Sequence, residues 1–175
     1  MNPTTATPGE RSRRRAILWA WLLCGVLDIT SAIVLTIAAG GSPLRMLQGI
    51  ASAVIGPKSF ELGPATMLLG LAMHFGVALV AASIYYWLSR RILFLYEQPI
   101  VGGILFGIFW LFVMYRGVLP LLAALRPLYI ANAPPRRPPP AIWPWPFFVH
   151  IVCVGLPIAL SIRRFGPSPR RPEAA

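Results

Sequence analysis

Acidic residues are nearly missing from this chain: it has 5 in 175, and charged side chains of both signs together make up only 12%. That scarcity excludes a soluble domain, which must solvate its own surface. With 57% hydrophobic residues and a mean hydropathy of +0.67, the chain calls for lipid as its solvent. Cysteine is equally scarce. Cys24 and Cys153 are the only two. Each sits inside an apolar run, so they read as small buried hydrophobes and not as a disulfide pair. Reactive constellations are lacking too: no nucleophile and base share a loop, no glycine-rich stretch cradles phosphate, and no pair of carboxylates marks an acid–base site. The expectation is a protein without cofactor and without enzymatic activity. A membrane-embedded enzyme using a histidine as base ranks third among the readings. Four spans of about 20 residues would occupy roughly half the chain, which leaves no room for a separate catalytic domain.

What is present is long apolar runs punctuated by arginine. The spacing predicts four membrane-spanning helices over residues 16–39, 65–88, 99–125 and 143–162, an all-α integral membrane bundle. Residues 1–15 and 165–175 are predicted to be disordered cytoplasmic tails. Arg13-Arg14-Arg15 before the first run loosely echoes a twin-arginine export signal. The run is long for a signal sequence and contains Asp28, so it reads as a retained span. A lipoprotein reading at Cys24 fails because bulky Leu23 precedes it.

Between the first two spans, Ser42-Pro43 has the form of an N-cap with proline in the first turn, and Gly56-Pro57 ends the pattern. A helix of about 13 residues, too short to cross, is expected there, either interfacial or re-entrant. Leu44, Leu47, Ile50, Ala51 and Val54 recur on one side of it, with Arg45, Gln48 and Ser52 on the other. It serves either to seal the top of the bundle or as a lid. Between the last two spans, Asn132 to Pro140 reads as a stiff polyproline-like connector; a PxxP-type ligand role is the lesser reading.

Net charge is +11, from 16 Lys+Arg against 5 Asp+Glu. Because the arginines flank apolar runs, anionic lipid headgroups are the simpler partner, and no nucleic-acid partner is expected. With a cytoplasmic N-terminus, the inner side collects the four arginines of residues 11–15 with Arg90, Arg91, Arg163, Arg164, Arg170 and Arg171, a total of ten. The outer side has five: Arg45, Lys58, Arg126, Arg136 and Arg137. The positive-inside rule then puts both ends in the cytoplasm. Trp19 and Trp21 at one face, with Trp143 and Trp145 at the other, suit interfacial belts. A homo- or hetero-oligomer is compatible with this composition.

Four ionisable residues fall within the spans, one on each: Asp28, His74, Arg116 and His150. At 1.5 Å per residue, Asp28 lies near mid-bilayer and the other three roughly 4 to 6 Å toward the outer side, all within one slab. Charge at that depth is costly unless it meets a partner or water. Cys24 and Asp28 share a face of the first helix, Gly70, His74 and Ala78 one of the second, and His150, Cys153 and Pro157 one of the fourth. Pro120 and Pro157 free the carbonyls of Arg116 and Cys153, and Gly103 and Gly107 form a small-xxx-small pair. Two readings stand. The cluster is a proton or cation relay or a substrate site. Alternatively, Asp28 pairs with Arg116 or a histidine to satisfy buried charge and fix the bundle's register. A metal held by Asp28, His74 and His150 offers no ligand spacing to check.

Several stretches carry a resemblance: Leu27-Asp28-Ile29-Thr30, Gly41-Ser42-Pro43, Leu47-Gln48-Gly49-Ile50-Ala51-Ser52, Leu71-Ala72-Met73-His74-Phe75, Tyr85-Tyr86, Ser89-Arg90-Arg91, and His150 ahead of Gly155-Leu156-Pro157-Ile158-Ala159. Across residues 16–164 the chain resembles a family of small uncharacterised bacterial inner-membrane proteins with four predicted transmembrane helices. The resemblance implies fold and location, and no reaction. One departure stands out: that family's third helix has an asparagine where this chain has Tyr115 followed by Arg116. Arg116 is therefore the weakest member of the cluster, and its charge has the alternative of snorkelling to the headgroups.

Overall fold

A computed structural model of the protein describes residues 7–129 and 144–169. Every element among them is helical. In chain order these are α1 (Pro8–Ala38), α2 (Pro43–Ile55) with a 3₁₀ turn over Gly56–Phe60, α3 (Pro64–Arg91), α4 (Leu93–Glu97) and α5 (Pro99–Phe112). A π-helical stretch, Val113–Val118, joins α5 to α6 (Leu119–Tyr129). A second, His150–Gly155, joins α7 (Pro144–Val149) to α8 (Leu156–Phe165). Four helices are long and apolar enough to cross a membrane: Pro8–Ala38, Pro64–Arg91, Pro99–Leu125 and Pro144–Phe165. They match the four expected spans and form a multi-pass helical bundle. The proline-rich connector, Trp143, Arg170 and Arg171 lie outside the described residues.

The ends depart from expectation. Residues 8–15 continue α1 as helix and are not a disordered tail. Thr7 closes a capping box: its hydroxyl accepts from the Glu10 N–H at 3.3 Å, its own N–H donates to Glu10 Oε2 at 2.9 Å, and Pro8 occupies the first turn. At the other end, Phe165 closes α8, and residues 166–169, the part of the expected loose tail that is described, are tied down. Arg90 donates to the carbonyls of Pro167 and Ser168. The Arg15 guanidinium sits 5.1 Å from the Phe165 ring centroid, and that of Arg163 sits 4.6 Å from the Tyr96 ring.

The interior sets small residues against a few large ones, Tyr85, Phe106, Trp110, Ile158 and Ile162 among them. Ala16, Ala20, Cys24, Ala78, Ala81 and Ala82 are buried where α1, α3 and the fourth span meet. Lipid offers no hydrophobic drive between helices, so close backbone approach must hold them together. The third and fourth spans come closest. A Cβ at Gly107 would run into the His150 carbonyl, and one at Gly155 into the Gly103 carbonyl. Many other large apolar side chains face outward, among them Leu68, Ile100 and Phe109, each at least half exposed.

The short helix in the first loop is present, and Leu47 and Ala51 are buried and Arg45 exposed as expected, but the buried face is shifted to take in part of the polar side. Gln48 and Ser52 are buried, while Leu44 and Val54 are exposed. The Gln48 side-chain amide donates to the Gly63 carbonyl at 3.1 Å and to Thr66 Oγ1 at 3.4 Å. Thr66 in turn donates to the carbonyls of Ser59 and Gly63. In lipid the polar side of a helix seeks polar partners in the protein, and here the start of α3 supplies them. Gly70 admits α2 closely: a Cβ there would strike the Leu47 carbonyl. Gly40 and Gly63, both at positive φ (73° and 65°), make the sharp reversals into α2 and α3.

Candidate functional site

α1 and α3 run antiparallel. Asp28 lies ten residues before the end of α1 (38 − 28), and His74 ten residues after the start of α3 (74 − 64), so both sit about 15 Å from the ends that α2 connects. Two side chains cross-link this pair. The Trp21 indole N–H donates to the Phe75 carbonyl at 2.7 Å, and His74 Nε2 lies 3.0 Å from the Gly25 carbonyl. Trp21 is therefore turned toward α3. Trp19 and Trp145 are exposed. The Phe75 ring meets His74 edge-on at 5.6 Å.

A carbonyl oxygen can only accept, so Gly25 fixes the proton on His74 Nε2. The other nitrogen, Nδ1, faces Asp28 Oδ2 at 3.9 Å. That distance is ion-pair range and longer than a hydrogen bond. His150 has the opposite arrangement. Its Nδ1 lies 2.9 Å from the Pro146 carbonyl, one turn back on the same helix, which leaves Nε2 as the nitrogen able to take up a proton. Each imidazole is anchored by one nitrogen to helix backbone and keeps one basic nitrogen.

Asp28, His74 and His150 line one cavity of about 250 Å³. The rest of its wall is mainly apolar, including Met73, Val77 and Trp110, and α2 contributes Ile50 and Ala53. The cavity has room for several waters or a small solute. Asp28 keeps 28% of its side chain accessible, against 13% for His74. Three of the four expected residues are thus brought together. Among the described residues, no group of three His, Cys, Asp or Glu side chains has the geometry to hold a metal. Cys24 also lines the cavity, and both cysteines are free.

Arg116 does not belong to the site: it is exposed and absent from the cavity wall. Trp110, Met114, Val118 and Leu122 line the cavity at intervals of four. Arg116 falls midway between two of them, about 200° around the axis. Its depth in the span was legible in the sequence, but its face was not. The neighbouring Tyr115 is not on the cavity wall either but meets His150, with ring centroids 6.2 Å apart. Sequence reasoning missed Tyr115 and Trp110; the four-residue stripe was the signal that would have found Trp110.

Both π-helical stretches end two residues before a proline. The Leu119 N–H bonds the Met114 carbonyl, and that of Leu156 the Ile151 carbonyl, each five residues back. Pro120 and Pro157 cannot donate to the carbonyls four residues back, and their rings crowd them, so the preceding turn widens. In the fourth span the widened turn begins at His150 itself. The prolines thus do more than free an acceptor: they set the direction in which the site residues point.

Compared with protein families, curated proteins and solved structures, the chain gives no match.

Proposed function

We propose that the protein moves protons, alone or coupled to a small solute, across a membrane through the layer formed by Asp28, His74 and His150. The observation that carries this reading is the shared cavity, where a partly accessible carboxylate meets two imidazoles with one basic nitrogen each. A purely structural cluster needs neither the accessible space nor the second histidine. Groups of this kind within spans mark proton and ion routes. The membrane is the bacterial inner membrane, with both ends cytoplasmic. This rests on the ten-to-five distribution of basic residues and on the family resemblance. Anionic headgroups are the partners of the inner arginines.

The test is flux. Purified protein in liposomes loaded with a pH-sensitive dye is expected to speed collapse of an imposed pH gradient, and Asp28→Asn to remove at least about 90% of that excess rate. Liposomes no leakier than protein-free ones, or an unchanged rate in Asp28→Asn, would overturn the proposal.

A second reading has its own support: His74 clamps α1 to α3 through the Gly25 carbonyl, as a structural residue would. On that reading the protein is a non-catalytic assembly or interaction subunit. Asp28→Asn and His74→Ala would then lower folded yield in proportion to any loss of function.

A further inference from the structure

A groove runs along the α1–α3 seam at the end away from α2. Its walls are Ile17, Leu18 and Trp21 from α1 with Leu79 and Trp87 from α3, its volume is about 480 Å³, and Arg13 and Arg14 stand at one end. We infer that this groove is a binding site for one anionic phospholipid, with the phosphate held by Arg13 and Arg14 and an acyl chain laid between the two helices. The inference rests on the chain spanning a membrane and does not depend on the transport reading.

Three observations select this occupant. The first is length. From Arg13 to Trp21 and from Leu79 to Trp87 are eight residues each (21 − 13 and 87 − 79), about 12 Å of helix. That is less than half of a hydrocarbon core about 30 Å thick, so the groove lies within one leaflet. The second is polarity. The walls are apolar and the charge is confined to one end, which fits an amphiphile with an anionic head better than a soluble anion or an apolar helix. The third is the state of the two guanidinium groups. Glu10, the nearest acid in sequence, feels both charges, but its carboxylate is bonded to Thr7, and among the described residues no carboxylate lies within salt-bridge distance of Arg13 or Arg14. Several other inner arginines are differently engaged: Arg90 holds the backbone at Pro167 and Ser168, Arg163 covers Tyr96, and Arg15 and Arg164 lie over Phe165. The capping box, by keeping residues 8–15 helical, places Arg13 and Arg14 over the groove. Trp21 adds a ring whose N–H is already taken by the Phe75 carbonyl, so its contribution to the groove is apolar.

The experiment starts from full-length protein in a membrane of equal phosphatidylglycerol and phosphatidylcholine, moved into mild detergent and weighed by native mass spectrometry. Wild type is expected to retain about one phosphatidylglycerol per chain and little phosphatidylcholine. Arg13→Gln with Arg14→Gln should weaken retention roughly twenty-five-fold, at about fivefold per basic residue. The charge-matched control Arg170→Gln with Arg171→Gln should change it by less than about twofold. Ile17→Trp, which fills the groove and leaves both arginines, should also lose the lipid. All three variants alter exposed or half-buried positions or the C-terminal segment, and matching circular dichroism establishes that they fold. Equal retention of phosphatidylcholine, equal loss in the arginine pair and its control, displacement of the lipid by millimolar inorganic phosphate, or a second protein copy in place of lipid would each overturn the assignment.

Discussion

His74 Nδ1 lies 3.9 Å from Asp28 Oδ2 while the opposite ring nitrogen is bound to the Gly25 carbonyl, so one imidazole touches α1 twice within a single turn. The two contacts differ in kind. The carbonyl contact is present in either charge state of the ring, whereas the carboxylate contact depends on who holds the proton. A double-mutant cycle separates them. His74→Ala should cost about 0.6 to 1.7 kcal/mol, the range for side-chain hydrogen bonds between membrane helices. Combining it with Asp28→Asn should reveal a coupling of at least about 0.5 kcal/mol if the pair interacts directly. Unfolding in mixed micelles measures both. Additive effects would mean that the 3.9 Å approach stores no interaction energy and that His74 serves only as the α1–α3 clamp.

The crossing of the third and fourth spans should be the least tolerant place in the bundle. Gly107→Ala and Gly155→Ala place a Cβ against backbone of the facing helix, which has no side-chain freedom with which to yield. Each is expected to cost about 1 to 3 kcal/mol, the usual range for overpacking. Gly76→Ala is the control, since a Cβ there meets nothing within 4 Å. It should be neutral or stabilising by up to about 1 kcal/mol, because alanine is the better helix former. Thermal unfolding in detergent gives the order. If Gly155→Ala proved as mild as Gly76→Ala, the close approach would not be holding the spans together.

The spans, the small-residue faces and three members of the polar layer were legible in the sequence because hydropathy and helical period report depth and spacing directly. What depended on the surroundings of a helix was not. The alternation in α2 was read as though water lay on its polar side, yet Gln48 turns inward because the carbonyl of Gly63 and the hydroxyl of Thr66 are better partners than lipid. Arg116 shared the depth of the histidines, but the stripe from Trp110 to Leu122 points elsewhere. The helical start of α1 was in plain sight: Thr7-Pro8-Gly9-Glu10 spells a capping box, hidden by the arginines that follow it.

The inward face of α2 has a measurable ranking. Thr66 serves Ser59, Gly63 and Gln48 at once, so Thr66→Val should cost about 1 to 3 kcal/mol by stranding buried partners. Gln48→Leu keeps the volume, and Thr66 still satisfies the Gly63 carbonyl, so about 1 kcal/mol is expected. Arg45→Leu, at an exposed position, should stay within about 0.5 kcal/mol. An amphipathic helix with Gln48 facing water would reverse the order, with Gln48→Leu neutral.

The widened turn at His150 exists because Pro157 brings no N–H to the Cys153 carbonyl. Pro157→Ala restores that donor and removes the ring, so the span can close into uninterrupted α-helix. Losing one residue from a wide turn rotates everything before it by about 100° relative to α8. His150 would then leave the cavity wall, and its neighbours would leave the contact with Gly107. The expected outcome is at least a fivefold fall in proton flux with every ionisable residue still present, since misplacing a working group is as costly as deleting it. Pro120→Ala is the matched case: its π-helical stretch carries Met114 and Val118 of the cavity wall but no ionisable member of the layer, and the fall should be smaller. Flux across liposomes, normalised to folded protein, decides between them. Equal flux in Pro157→Ala and wild type would mean that the position of His150 does not matter to the path, and the layer would reduce to Asp28 and His74.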